Sequence, residues 1–428
     1  MMPSYKTYKD SGIHWLGNIP EHWEVNRIKD LTKTQSGTTP ASSNKAYYGG
    51  IHNWIRTTDL NNSELYDVEY KVSDLALEEC RLKFLPINSV LIAMYGGFGT
   101  IGKNAILKKE STINQSICAV LPNSRTFSSE YFYYFLKYFR NEWRLFADGT
   151  RKDPNINQDA VKHLLIFSPP LQEQIQIAQY LDQKTVAIDK KVALLKKKIK
   201  HYKAYRKTLI NETVTRGLDK NAKLKDSGVE WIGQIPQHWE VKRFKHFAKT
   251  VKGKNLEVSD VYFENSLPLL SLEYLRNDSV AHPVYCFSTD TSLRVTDEDL
   301  VIVWDGAAVG EILKAKEGYI SSTTAKLDID NRLFSTKYFT FMSDRIDYKL
   351  KSIPTGMGIP HLNPYLLKNF KFPFPPLKEQ QEIAQFLDSK TTTLDRIIHS
   401  TTTQIKTLKE LRKTLINDVV TGKVKVIA

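Results

Sequence analysis

The sequence predicts an α+β protein: two mixed α/β modules separated by two long antiparallel coiled-coil helices related by a pseudo-two-fold. Three observations predict it. A motif block occurs twice, a helical apolar seam occurs twice in one register, and the segments between them hold strand-like apolar runs that differ from copy to copy.

The first block reads YKDSGIHWLGNIPEHWEVNRIK at 8–29 and LKDSGVEWIGQIPQHWEVKRFK at 224–245, with 14 of 22 positions identical. It carries Trp15/Trp231, Pro20/Pro236 and Trp23/Trp239. A second block pairs Pro169-Pro170-Leu171-Gln172-Glu173-Gln174 with Pro375-Pro376-Leu377-Lys378-Glu379-Gln380, and a third pairs 206–211 with 412–417 as RKTLIN. The stretches between them, roughly 30–168 and 246–374, hardly resemble each other. A duplicated enzyme would keep its catalytic motifs alike. Here the framework is alike and the modules differ, the pattern expected when each module reads something different.

The proline pairs mark helix entries, since proline suits the first turn, where its missing N–H goes unused. From there a seam with alternating spacings of three and four runs through Thr185, Ile188, Val192, Leu195, Ile199, Tyr202, Arg206 and Leu209. The second copy repeats it at Thr391, Leu394, Ile398, Thr401, Ile405, Leu408, Arg412 and Leu415. Three or more heptads of this kind predict a coiled-coil seam. Gly217 and Gly422 mark the expected stops. Each helix spans roughly 65–70 Å at 1.5 Å per residue. Polar seam positions such as Thr401 leave either helix marginal alone, so the two are expected to pack on each other and to act as a ruler between the modules; the alternative packs each helix only on its own module. The first helix is strongly basic, with 11 Lys or Arg against 4 Asp or Glu over 171–218. Lys196-Lys197-Lys198 suits either a run along phosphates or a solvated face.

The predicted division is a frame segment at 1–29, a module at 30–168, a helix at 169–218, a frame repeat at 219–245, a second module at 246–374 and a second helix at 375–428. Over its 428 residues the chain carries a net charge of +14, which points to a polyanionic partner. Its three cysteines, Cys80, Cys118 and Cys286, form no metal spacing and no disulfide framework, which fits a reducing cytoplasm. No apolar stretch approaches the roughly 20 residues that span a membrane.

The two copies of DSG-x-x-W-x-G-x-I-P-x-H-W, the two copies of PPL-x-EQ-x-x-IA-x-x-LD and the RKTLI helix ends together resemble the specificity subunits of type I restriction–modification enzymes, the HsdS family. The resemblance covers essentially the whole chain. It implies that each module is a target-recognition domain reading one half of a bipartite, asymmetric double-stranded DNA sequence. It implies that the helices set the unread gap and dock two modification (methyltransferase) subunits, which bind S-adenosylmethionine and methylate adenine. Restriction subunits with ATP- and Mg-dependent translocase and nuclease activity would join that core. This chain would then bind no cofactor and perform no chemistry of its own. The competing reading is a coiled-coil scaffold for protein partners that touches DNA without regard to sequence.

Within the modules, Ser89–Tyr95 reads as a strand running into the glycine-rich turn 96–102, and Asp299–Trp304 as a strand running into Gly306–Gly310. Such turns let backbone approach a ligand closely. Asn and Gln pair with adenine edges, Arg and Lys with guanine. Lys103, Asn104, Asn114 and Gln115 are therefore candidate DNA contacts in the first module, and Thr323, Thr324 and Lys326 in the second. Turn chemistry and edge-strand solubility explain the same residues without DNA. The loops 35–39 and 251–255 align after the first block and nominate Thr38, Thr39, Lys252, Lys254 and Asn255. The polar loop 148–157 nominates Thr150, Arg151, Lys152 and Asn155; its uncharged counterpart 354–363 nominates Thr355 and His361. The aromatic run 131–139 is expected to be a core helix capped by Ser128, with 338–341 its partner after Ser335.

Three enzymatic readings fall short. Gly97–Asn104 resembles a P-loop, but Asn104 stands where a hydroxyl must hold magnesium. Ser168-Pro169-Pro170 approaches an amino-methyltransferase motif, but Leu171 and Leu377 cannot stack a flipped base. Asp59 or Asp67 with Glu69 and Lys71 resembles a nuclease site faintly and has no counterpart in the second module.

Overall fold

A computed structural model describes residues 4–13, 17–96, 99–147, 155–277, 283–351 and 360–426. The chain forms two compact units, Met1–Lys196 with Thr403–Ala428, and Lys197–Thr402. Each unit therefore holds one module, one frame block, the first half of one long helix and the last part of the other.

In the first unit the frame strand Glu24–Arg27 pairs antiparallel with Leu165–Ser168, which leads directly into the long helix Leu171–Arg216. The central sheet has the order Thr34–Ser36, Ile117–Val120, Val90–Ala93, Asn104–Leu107, Ser63–Leu65. Its three inner strands are buried on both faces, and side-chain alternation splits them between two cores. Val90, Ile92, Ile106, Cys118 and Val120 face the aromatic helix Ser129–Phe139, while Leu91, Ala93, Ala105, Leu107 and Ala119 face a second cluster with Ile55 and Leu60. That helix is core, as its composition predicts: Tyr131, Phe132, Phe135 and Phe139 are fully buried, and the Ser128 hydroxyl accepts from the Tyr131 N–H at 3.2 Å.

The second unit repeats this plan despite its unlike sequence. Glu240–Arg243 pairs with Lys371–Phe374, and Ala248–Lys252, Thr324–Ile329, Leu300–Val303 and Ile312–Lys314 form a sheet in the corresponding order. Each module also pairs two strands in parallel beside the main sheet: Tyr48–Ile55 with Thr112–Ile113, and Leu267–Leu270 with Gly318–Ile320. The counterpart of the aromatic helix is Thr336–Lys351.

The long helices run Leu171–Arg216 and Leu377–Val420. Every predicted seam position on both is shielded from solvent to some degree, and nearly all of their neighbours from 182 to 209 and from 388 to 415 are exposed. In the first unit Arg412 Nε lies 3.0 Å from Asp189 Oδ1; in the second Arg206 Nε lies 3.2 Å from Asp395 Oδ1. Each contact sets an early part of one helix against a late part of the other, which is antiparallel pairing. Such exposed ion pairs contribute little energy, so they report register more than stability. Lys196, Lys197 and Lys198 are exposed.

The repeated motifs have matching jobs. Glu173 receives hydrogen bonds from Trp23 Nε1 at 3.2 Å and contacts His22 Nε2 at 2.8 Å; Glu379 receives Trp239 Nε1 at 3.0 Å and contacts His238 Nε2 at 2.8 Å. Both tryptophans are fully buried, so their single N–H needs an acceptor. Gln174 accepts from the Ser128 N–H at 2.9 Å and donates to the Pro169 carbonyl at 2.9 Å; Gln380 does the same with Ser335 at 2.8 Å and Pro375 at 2.9 Å. The helix end of one copy closes the frame of the other. Gly422 (φ 72°) ends the second helix against Pro20 and Trp23, and Gly217 (φ 74°) ends the first against Pro236 and Trp239.

Candidate nucleic-acid interface

In both modules several nominated loops converge on one end of the central sheet. Hydrogen bonds from the strand before the glycine turn gather them. In the first module the Met94 N–H donates to the Ser116 carbonyl at 2.9 Å, and the Met94 carbonyl accepts from Ile156 at 3.0 Å. In the second, the Trp304 N–H donates to Thr323 at 2.8 Å and its carbonyl accepts from Leu362 at 2.8 Å. The turn glycines that follow share one left-handed conformation, Gly96 at φ 108° and Gly306 at φ 105°. The loop after the first sheet strand presses backbone to backbone at Gly37, where a Cβ would sit 1.9 Å from the Ile113 carbonyl oxygen, and at Gly253, where it would sit 2.1 Å from that of Ser321. A side chain at either position would push the loop off the sheet.

The groups presented there differ. In the first module Thr38, Thr39 and Gln115 are exposed, Asn114 and Asn155 half-buried. Asn114 Oδ1 accepts from the Ser116 N–H at 3.1 Å, holding the turn that displays Gln115. Lys103 is half-buried beside the same end. In the second module Lys252 Nζ and His361 Nδ1 both reach Asp305, at 3.1 Å and 2.6 Å. Burial alone would raise the Asp305 carboxyl, but the bonds from His361 and Lys252 outweigh it and hold it below the usual carboxylate range. Lys254 pairs with Asp290 at 2.9 Å, and Thr323 and Asn255 are exposed. This end can offer hydrogen bonds to base edges and cations to phosphates.

Three nominated residues are corrected. Asn104 is fully buried in the strand Asn104–Leu107, with neither side-chain atom partnered among the described residues, so its amide cannot meet a base edge. Thr324 is 1% exposed and donates to the Ser321 carbonyl at 3.1 Å. Lys326 points to the far end of the sheet, paired with Asp299 at 2.9 Å. Thr150, Arg151, Lys152 and Thr355 lie outside the described residues. Sequence reasoning passed over Asp305 and the exposed Tyr95, each immediately before its turn glycine. That adjacency was the available signal, since a residue entering a left-handed glycine turn sits at the lip of the sheet.

The faint nuclease reading dissolves locally: Asp67 pairs with Lys71, and Asp59 accepts from the Arg56 N–H at 2.8 Å to close a turn. Among the described residues no group of three or more His, Cys, Asp or Glu gathers to hold a metal, and no helix is long and apolar enough to cross a membrane.

Comparison with known proteins agrees with this architecture. The model of the type I restriction modification DNA specificity domain matches twice, at 20–201 and 236–410. The putative type I restriction enzyme MjaX specificity subunit of Methanocaldococcus jannaschii is 26% identical, over 96% of both chains. The MjaIX specificity subunit of the same organism is also 26% identical, over 96% of this chain and 95% of its own. Among solved structures, a chain from a study of complex assembly and conformational transition in the type I R-M system superposes with a TM-score of 0.73 at 16% identity, covering 94% of this chain and 98% of that one. The HsdS subunit from Thermoanaerobacter tengcongensis gives 0.61 at 17% identity, covering 95% and 98%. With two matches to the family model, one on each module with its helix, the chain belongs to the type I restriction–modification specificity subunits.

Proposed function

We propose that this chain reads a bipartite, asymmetric DNA sequence, one half with each module, and performs no chemistry itself. The observation that carries this reading is the pair of equivalent sheet ends. One backbone plan presents Thr38, Thr39 and Gln115 in one module and Lys252, Asp305, Thr323 and His361 in the other. A shared scaffold with unlike tips is what reading two different half-sites requires, because base identity is discriminated by the donors and acceptors offered at the groove. Thr150, Arg151, Lys152 and Thr355 remain candidate DNA contacts on residue type alone. The continuous helices set the unread spacer and dock two modification subunits, on which S-adenosylmethionine and the adenine chemistry reside. Restriction subunits bring ATP, Mg and cleavage. The net charge of +14 supplies affinity without sequence information.

The test is to map methylated adenines in a genome that carries this gene with its partner genes. One split motif with unlike halves is expected. Exchanging residues 30–168 for another module should change one half and leave the other and the spacer intact. Methylation without sequence preference, or assembly that binds all duplexes equally at moderate salt, would favour a scaffold that meets DNA only through charge.

A further inference from the structure

A recess of about 360 Å³ in the first unit lies between the aromatic helix, the turn at 61–62 and the last part of the second long helix. Five cationic side chains line it: Lys137 and Arg140 from the aromatic helix, and Lys409, Arg412 and Lys413 from the long helix. The nearby acids are already engaged. Asp189 pairs with Arg412 at 3.0 Å, Asp182 accepts from the Tyr134 hydroxyl at 2.6 Å, and Glu64 accepts from the Tyr66 hydroxyl at 2.7 Å. Among the described residues Lys409 and Lys413 have no ion-pair partner. Lys137 sits over the Tyr133 ring with Nζ 3.8 Å from its centroid, and Arg140 is fixed by donating to the Gly99 carbonyl at 2.9 Å.

The second unit shows that this charge is not a by-product of the fold. The repeat carries Lys409, Arg412 and Lys413 onto Lys203, Arg206 and Lys207, so the long helices match. Aligning Ser128 and Tyr131 with Ser335 and Tyr338 carries Lys137 and Arg140 onto Asp344 and Asp347. Two positions that are acidic in one copy are basic in the other. We propose that the recess of the first unit is a binding site for a phosphate group, free in solution or on a DNA strand, and that the second unit has no such site. Planar Arg140 and Arg412 with flexible lysines at the mouth is the donor set such a group takes. The inference does not rest on the half-site reading.

Its occupancy should depend on pH. Burial, reinforced by Arg412, pushes the Lys137 amine down to about 7, against the opposing pull of Asp182, Asp189 and Glu64. Arg140 and the Tyr133 and Tyr134 rings complete its surroundings. A bound anion favours the charged amine, so binding takes up a proton near neutrality and weakens as pH rises.

The experiment titrates the full chain with inorganic sulfate, which stays dianionic through this range, and separately with a short duplex lacking any methylation target. For Lys409→Gln/Lys413→Gln we expect binding to weaken by about tenfold or more, the scale of charge-assisted hydrogen bonds to a phosphate-like oxygen. Lys203→Gln/Lys207→Gln should leave it unchanged. Sulfate affinity should fall from about pH 6 to about pH 8 in the parent and stay flat in Lys137→Met. Loss of both sulfate and duplex affinity in the first pair assigns the site to phosphate from either source. Loss of duplex affinity alone, with no sulfate binding, assigns it to the DNA strand. Equal losses from both lysine pairs, or no change in either titration, overturn the proposal.

Discussion

After its central strand the first module turns through Tyr95-Gly96; the second turns through Asp305-Gly306 with the same left-handed glycine and the same flanking hydrogen bonds. Tyr95 is 43% exposed, whereas Asp305 draws in Lys252 and His361. The same contrast recurs in the sequence, where Lys137 and Arg140 in one copy align with Asp344 and Asp347 in the other. Backbone pairing is held by groups every residue has, so it survives sequence divergence. What the lip of the sheet and the outside of the helix display is left free to change. A duplicated fold can thus keep one geometry while offering two chemistries.

The frame should behave identically in the two copies, and its largest test is the buried tryptophan pair. Trp23→Ala and Trp239→Ala should each cost about 3–5 kcal/mol, the usual price of deleting a buried aromatic, confined to its own unit. Hydrogen exchange resolved by peptide checks this. Exposure spread evenly over both units, or tolerance in one copy, would break the equivalence. Gln174→Ala and Gln380→Ala come next. Each strips a buried amide whose carbonyl and amino groups are both bonded, leaving the Ser128 or Ser335 N–H without its acceptor, at about 1–3 kcal/mol. Denaturant midpoints of the two variants should shift alike.

A smaller effect should separate the copies. Gly217 and Gly422 both have positive φ, so Ala costs about 1 kcal/mol at either from conformation alone. At Gly422 the added Cβ would also lie 2.4 Å from the Pro20 ring, which cannot step aside; at Gly217 it would meet Glu379 Oε1 at 2.9 Å, a milder contact with the carboxylate oxygen that Trp239 and His238 do not use. Gly422→Ala should therefore lower the melting temperature more than Gly217→Ala. Equal shifts would mean the Pro20 contact relaxes.

The helices and frame were legible because their signals are redundant. The seam from Thr185 to Leu209 repeats the period of a paired helix, and Glu173 and Gln174 recur at Glu379 and Gln380 because each has a fixed partner set. The likeness of the modules was not legible, since Val90–Ala93 and Leu300–Val303 share only apolar character and their partner strands lie far off in sequence. Asn104 misled for a related reason. Side-chain type suggests a base contact, but its place at the start of a strand buried on both faces is fixed by pairing with Ile92, which no local pattern reveals. Lys326 misled likewise, because strand direction, not composition, sends it away from the loops.

The finest test of the contrast is Asp305 itself. Its carboxyl is held below its ordinary value of 3.8 by His361 and Lys252, so it binds protons less readily folded than unfolded. A depressed folded value means the stabilisation is fully present above the unfolded value and is lost as pH falls through the folded one. Asp305→Asn should therefore cost the second unit a few tenths to about 1 kcal/mol at neutral pH, the range of partly exposed ion pairs, and nothing at a pH well below 3.8. Tyr95→Asn at the equivalent place has no carboxylate to lose and should leave the acid limb of the first unit unchanged. Melting curves of both variants against pH make the comparison. A gap between Asp305→Asn and its parent that persists into strong acid would show that the side chain packs rather than pairs, and the two lips would then differ in shape instead of charge.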